Sequence, residues 1–130
     1  MIITAYVIAS LVAIGIVFIG TRFFWGPAAA LAEFGIPGSP PPSTAFNAWL
    51  AVKGTRDIVS GLFIVLLMVD GSARLLGEFM LVASLIAFSD AATVLRSGGS
   101  RKLAFGMHAL TGLVIAAAGV MLIAGASYRM

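Results

Sequence analysis

The chain has 130 residues, 61% of them hydrophobic and only 10% charged, against about 25% charged in an ordinary soluble domain. That composition excludes a water-soluble globular enzyme and describes an integral membrane protein. The net charge of +3 comes from basic residues scattered over segment ends, with no contiguous stripe and no interleaved aromatics, so nucleic acid is not an expected partner.

Four apolar stretches follow one another at about 2–21, 46–69, 75–95 and 103–127, each near the ~20 residues a spanning helix requires. The predicted fold is therefore all-α: one domain over 1–130, built as an antiparallel four-helix transmembrane bundle. The first stretch lacks the basic start of an export signal and exceeds its usual apolar length, which reads as a permanent helix. The connection that follows, 22–45, holds all five prolines, at positions 27, 37, 40, 41 and 42. Pro27 suits a first helical position, Ala28 to Phe34 continue it, and Gly35 stops it, which predicts a short helix lying in the membrane interface. Such a segment is either a lid over a cavity mouth or a stiff linker leading to Ser43 or Thr44 as the cap of the second long helix.

The later connections, 70–74 and 96–102, are tight polar turns that make helices two, three and four antiparallel neighbours. Gly54 with Gly61, and Gly112 with Gly119, lie two turns apart and predict close helix approach. Asp70, Arg74 and Glu78 step by four around the outer turn and read as a solvated ladder of charge pairs. Trp25, Trp49, Phe23, Phe24 and Phe34 gather near one interface and Tyr6 and Tyr128 near the other, as an aromatic belt does.

Arg22, Arg96, Arg101 and Lys102 flank one membrane face, while Arg74 and Arg129 flank the other. The excess of basic residues places the first face in the cytoplasm, with loops 22–45 and 96–102 inside, both termini outside, and a plasma (inner) membrane as the expected location. Cysteine is absent, which excludes disulfides, thiol redox chemistry and thiolate metal ligands. A lone histidine without an HxxxH or HExxH pattern gives no expectation of a metal, and no cofactor is expected.

Charge inside the apolar stretches needs a reason, because an ionisable side chain at the bilayer centre costs about 2.5–3.5 kcal/mol even on insertion scales. Lys53, Arg56 and Asp57 on helix two, Asp90 on helix three and His108 on helix four all fall in the same half of an alternating bundle. At about 100° per residue, Trp49, Lys53, Arg56, Asp57 and Ser60 share one arc of helix two, and Thr111 shares the face of His108. The formal charges of the five ionisable residues cancel, with His108 neutral, as a low-dielectric site requires.

Two readings stand. One is a structural ion-pair network in which Arg56 holds Asp90 across the helix interface. The other is an acid–base cavity with Asp57 as base or water activator, Asp90 as protonated acid, Arg56 as orienter, and Lys53 and His108 as proton-transfer or polarising groups. Trp49, Ser60 and Thr111 would line its substrate space.

The phrases Phe34-Gly35-Ile36-Pro37 and Lys53-Gly54-Thr55-Arg56-Asp57-Ile58, then Gly61, Asp90-Ala91 and His108, carry a likeness over about 34–118. There the chain resembles a family of small four-helix membrane proteins classed as a domain of unknown function, and is distantly similar in fold to the DoxX-type membrane proteins. The resemblance implies a fold and a membrane location, and no reaction.

From the residues themselves, three functions are in play. The first is a cofactor-independent enzyme of isomerase, epoxide-opening hydrolase or cyclase type, acting on a lipophilic small molecule or lipid. The second is a small proton-coupled transporter, which would need a homo-oligomer to build a path. The third is a non-catalytic membrane scaffold or subunit.

Overall fold

In a computed structural model, which describes residues 1–38, 41 and 43–127, the chain forms five helices and, among those residues, no strand. They are α1 (Ile2–Trp25), α2 (Pro27–Phe34), α3 (Thr44–Asp70), α4 (Ala73–Arg96) and α5 (Arg101–Ser127). Pro40, Pro42, Tyr128 and Arg129, which entered the sequence reading of the first loop, the belt and the sidedness, lie outside the described residues.

Three helices, α1, α4 and α5, are long and apolar enough to cross a membrane, where four were expected. The physical difference is in α3: it is long enough at 27 residues, but Lys53, Arg56 and Asp57 interrupt its apolar sequence. Helix ends also differ by a few residues from the apolar limits. α1 continues past Arg22 to Trp25, because one polar residue does not end a helix; the turn at Gly26 and Pro27 does.

The starts of the other long helices are set by serine caps. Ser43 Oγ accepts from the Phe46 N–H at 3.1 Å, Ser72 Oγ from Leu75 N–H at 3.2 Å, and Ser100 Oγ from Leu103 N–H at 3.3 Å. α2 begins at Pro27 as expected and stops at Gly35, whose φ of 95° suits the left-handed cap that glycine adopts without strain. α5 contains one wide π-type turn over Ala104–Ala109, which re-aims the side chains around His108.

Between helices in lipid there is little hydrophobic driving force, so close van der Waals packing through small residues has to hold them together. α1 and α3 meet at such a seam. A methyl added at Gly54 would lie 2.6 Å from the Gly20 carbonyl oxygen, one at Gly20 would lie 2.7 Å from the Gly54 oxygen, and one at Gly61 would lie 2.8 Å from the Ala13 oxygen. α4 and α5 meet in the same way at Gly77 and Gly119, and Gly112 is filled by the Phe88 ring. These pairings run in opposite chain directions, so α1 is antiparallel to α3 and α4 to α5.

The two halves of the bundle differ. Ala5, Ala9 and Ala13 of α1, Ile64 and Leu67 of α3, Leu76 and Met80 of α4, and Ile115, Ala118 and Leu122 of α5 form a continuous core in the half that holds the start of α1. The other half is looser. There α2 packs through Ala30 and Leu31 onto Phe23, Phe46 and Leu50, and a cavity remains beneath it.

Candidate functional site

The cavity has a volume of about 480 Å³ and lies between the α1/α3 pair and the α4/α5 pair. That is within the ordinary range for small-molecule sites. One end is polar: Arg22, Glu33, Lys53, Asp57, Asp90, His108 and Thr111 line it. The rest is apolar, walled by Ile8, Val12 and Ile16 of α1, Ala83 and Ala87 of α4, and Val114 and Ile115 of α5. Leu11, Ile86 and Val114 line the cavity and are also exposed, so it opens sideways rather than being sealed. A smaller depression at the opposite end, beside Ile2, Tyr6 and Ala73, carries no charged side chain.

At the polar end one ammonium serves two carboxylates. Lys53 Nζ donates to Asp57 Oδ2 at 3.0 Å and to Oδ1 at 3.2 Å, and lies 3.8 Å from Asp90 Oδ2. Asp57 is one turn further along α3, the natural i, i+4 partner, and is buried. Asp90 is held at a longer distance from across the helix interface and is more open to the cavity. The Phe23 and Phe34 rings flank the same ammonium at 5.4 and 5.2 Å, which adds cation–π attraction where water is scarce.

His108 reaches the lid. Its Nε2–H donates to the Phe34 carbonyl oxygen at 2.9 Å, one of the carbonyls left open at the end of α2, and its ring packs on the Phe34 ring at 4.7 Å. The next carbonyl, of Gly35, accepts from the Ser100 N–H at 3.1 Å. At the other edge of α2, Arg22 forms a two-armed ion pair with Glu33, its Nη2 donating to Oε1 at 2.9 Å and its Nη1 to Oε2. The short helix of the first loop thus covers the polar end of the cavity, tied to α1 on one side and to the α4–α5 turn on the other.

Glu33 lies outside the long helices, and hydrogen bonding to the Arg22 guanidinium holds its carboxyl below the usual range. A lowered folded value means that this tie is fully present above the ordinary carboxylate pKa and is lost as pH falls through the lowered one. A spin label on α2 should therefore stay immobilised from neutral pH down to mildly acid pH and loosen only below that. Glu33→Gln should loosen it at every pH.

Several residues fall elsewhere than the sequence suggested. Arg56 does not hold Asp90: it is exposed on the outer side of α3, and Lys53 takes the role assigned to it. Trp49 is 72% exposed and is outside the lining of this cavity. Ser60 returns its hydroxyl to the Arg56 carbonyl at 2.8 Å and is also outside the lining. The shared arc was real, but its centre was misplaced. Leu50, Gly54 and Gly61 define the buried face, Asp57 sits close to it, and Arg56 and Trp49 lie roughly 100° around the helix.

On the outer turn only Arg74 and Glu78 pair, at 2.9 Å, because Asp70 ends α3 and the i, i+4 spacing does not carry across a turn. The sequence reading missed Arg22, Glu33, Phe23 and Phe34. The signal for Phe34 was its place beside the Gly35 stop. Nothing in spacing alone linked Arg22 to Glu33 across the α1–α2 break. Among the described residues no group of three His, Cys, Asp or Glu side chains is arranged as a metal site.

The model of the domain of unknown function DUF4267 matches residues 13–122, most of the chain and every residue of the polar end. The chain belongs to the DUF4267 family. The match begins inside α1, well before the Phe34 motif, so the second half of the first helix is part of the DUF4267 domain although it carries no conspicuous motif. No curated protein and no solved structure matches the chain significantly.

Proposed function

We propose that this DUF4267 protein is a membrane-embedded acid–base enzyme, working without a cofactor on a lipophilic small molecule that enters from the bilayer. The observation that carries this reading is the cavity itself: apolar and open at the side, with a Lys53-bridged pair of carboxylates at one end.

In this reading all four long helices cross the membrane. α3 does so because two of its charges face the cavity and each other, while Arg56 extends its stem along lipid toward the headgroups. The lid end is cytoplasmic, as Arg22, Arg96, Arg101 and Lys102 cluster there, and the membrane is the plasma (inner) membrane.

The distances support a division of labour that exchanges the roles expected from the sequence, where Asp57 was the base and Asp90 the protonated acid. Asp57, gripped through both oxygens, orients Lys53. Asp90, held more weakly and facing the cavity, is the group that takes a proton from the substrate and returns it at a second position, the balance of an isomerisation. Lys53 or His108 polarises the oxygen on which charge develops. Hydrolysis or cyclisation would use the same groups with a different nucleophile.

A second reading has its own support. α3 and α4 otherwise touch sparsely, so the Lys53–Asp90 bridge also serves to hold them together. Asp90→Asn separates the two. The enzyme reading expects a folded bundle in detergent whose host membranes accumulate an unconverted lipophilic compound, seen by mass spectrometry of extracts, with turnover falling at least about 100-fold. Loss of the folded bundle without such accumulation supports the scaffold instead. Proton flux in proteoliposomes that requires Asp57 would move the assignment to transport.

A further inference from the structure

Packing does not account for two helical glycines, Gly15 and Gly106, and of the two Gly15 lines the cavity. Gly20, Gly54, Gly61, Gly77 and Gly119 are filled by neighbouring backbone, but a methyl added at Gly15 meets no atom within 4 Å. Gly15 lies mid-way along α1, where glycine is the poorest helix former apart from proline, and it faces the cavity. It keeps space open rather than letting a helix approach.

That notch sits in a long slot. From Arg22 at the polar end to Ile8 at the far end the lining follows the same face of α1, a distance of roughly 21 Å at the helical rise. The charges at the polar end are already committed: Lys53 to Asp57 and Asp90, Arg22 to Glu33. No cation there is left for a phosphate or carboxylate head, and two carboxylates would repel one. A hydroxyl or carbonyl, by contrast, can accept from Lys53 and, as a hydroxyl, donate to Asp90.

We infer that the cavity takes a single elongated chain with an uncharged hydroxyl or carbonyl head, and that Gly15 sets how long that chain can be. This rests on the proposed function for the identity of the site, and names its substrate class. The head lies beside Lys53 and Asp90, and the tail passes Gly15 toward Ile8 and Val12. A phospholipid head would find no uncommitted cation at the polar end.

The test reads binding, not turnover. The full chain in zwitterionic nanodiscs is labelled with a long-chain alcohol bearing a photoreactive group on its tail, and straight-chain alcohols of increasing length compete, alongside the matching carboxylates and phosphate monoesters. The wild type should label on α1 and α5, with competition strengthening with alcohol length and the charged series at least about tenfold weaker. Gly15→Phe should lose at least about tenfold in competition by the longest alcohols and keep the shortest; Gly15→Ala, which has room for its methyl, should fold normally and shift the length preference in the same direction. The inference is overturned if both variants keep the wild-type length profile, if carboxylates compete as well as alcohols, or if labelling falls outside α1 and α5. Failure of the acid–base reading is separable: Asp90→Asn would then change no membrane compound while this binding pattern persisted.

Discussion

Lys53→Met should destabilise the bundle by about 3 kcal/mol, read as a lowered unfolding midpoint in detergent, because it strands two carboxylates that the one ammonium now satisfies. The figure is at the low end for a broken buried pair, since Lys53 and Asp90 retain 31% and 27% of their side-chain exposure. Arg56→Met should stay within about 0.5 kcal/mol of the wild type, since Arg56 faces outward and is in no ion pair among the described residues. Adding Asp57→Asn and Asp90→Asn to Lys53→Met should recover much of the loss, because no unpaired charge then remains. An Arg56 effect as large as that of Lys53 would overturn the assignment of the bridging cation.

Gly54→Leu should prevent the α1–α3 seam from forming at all. Its Cβ would sit 2.6 Å from the Gly20 carbonyl oxygen and 2.8 Å from the Phe24 ring, and backbone cannot yield as a flexible side chain can. Even Gly54→Ala should cost about 1–3 kcal/mol, the usual range for overpacking a tight contact. Gly15→Ala, on the cavity face of α1, should by contrast be neutral or stabilise by up to about 1 kcal/mol, since it gains helix propensity and meets nothing. Thermal unfolding of the three variants side by side checks the ranking; equal costs for Gly54→Ala and Gly15→Ala would mean that the seam lies elsewhere.

The features legible in the sequence were those with local causes. Pro27 and Gly35 bounded α2, the cap of α3 was narrowed to Ser43 or Thr44 and is Ser43, and the glycine pairs marked helix crossings, because each acts within a turn or two of its own position. The convergence of Lys53, Asp57, Asp90 and His108 at one end also followed from the alternation of helix directions. The choice between Lys53 and Arg56 was not legible. Both lie on the same arc, and only the seam through Gly54 and Gly61 fixes which edge of that arc turns inward. The lid was half legible: its helix could be predicted, but its ties depend on a carbonyl at the end of α2 meeting His108, which the π-type turn in α5 re-aims, and a turn of that kind leaves no mark in composition.

If the polar end of the cavity receives a guest from the bilayer, the density map of the protein in lipid nanodiscs should show it. Elongated density should appear with its head beside Lys53 and Asp90 under α2 and its tail running past Gly15. A dry, collapsed polar end, with Asp90 drawn fully onto Lys53 and side chains of α1 and α5 filling the slot, would contradict it.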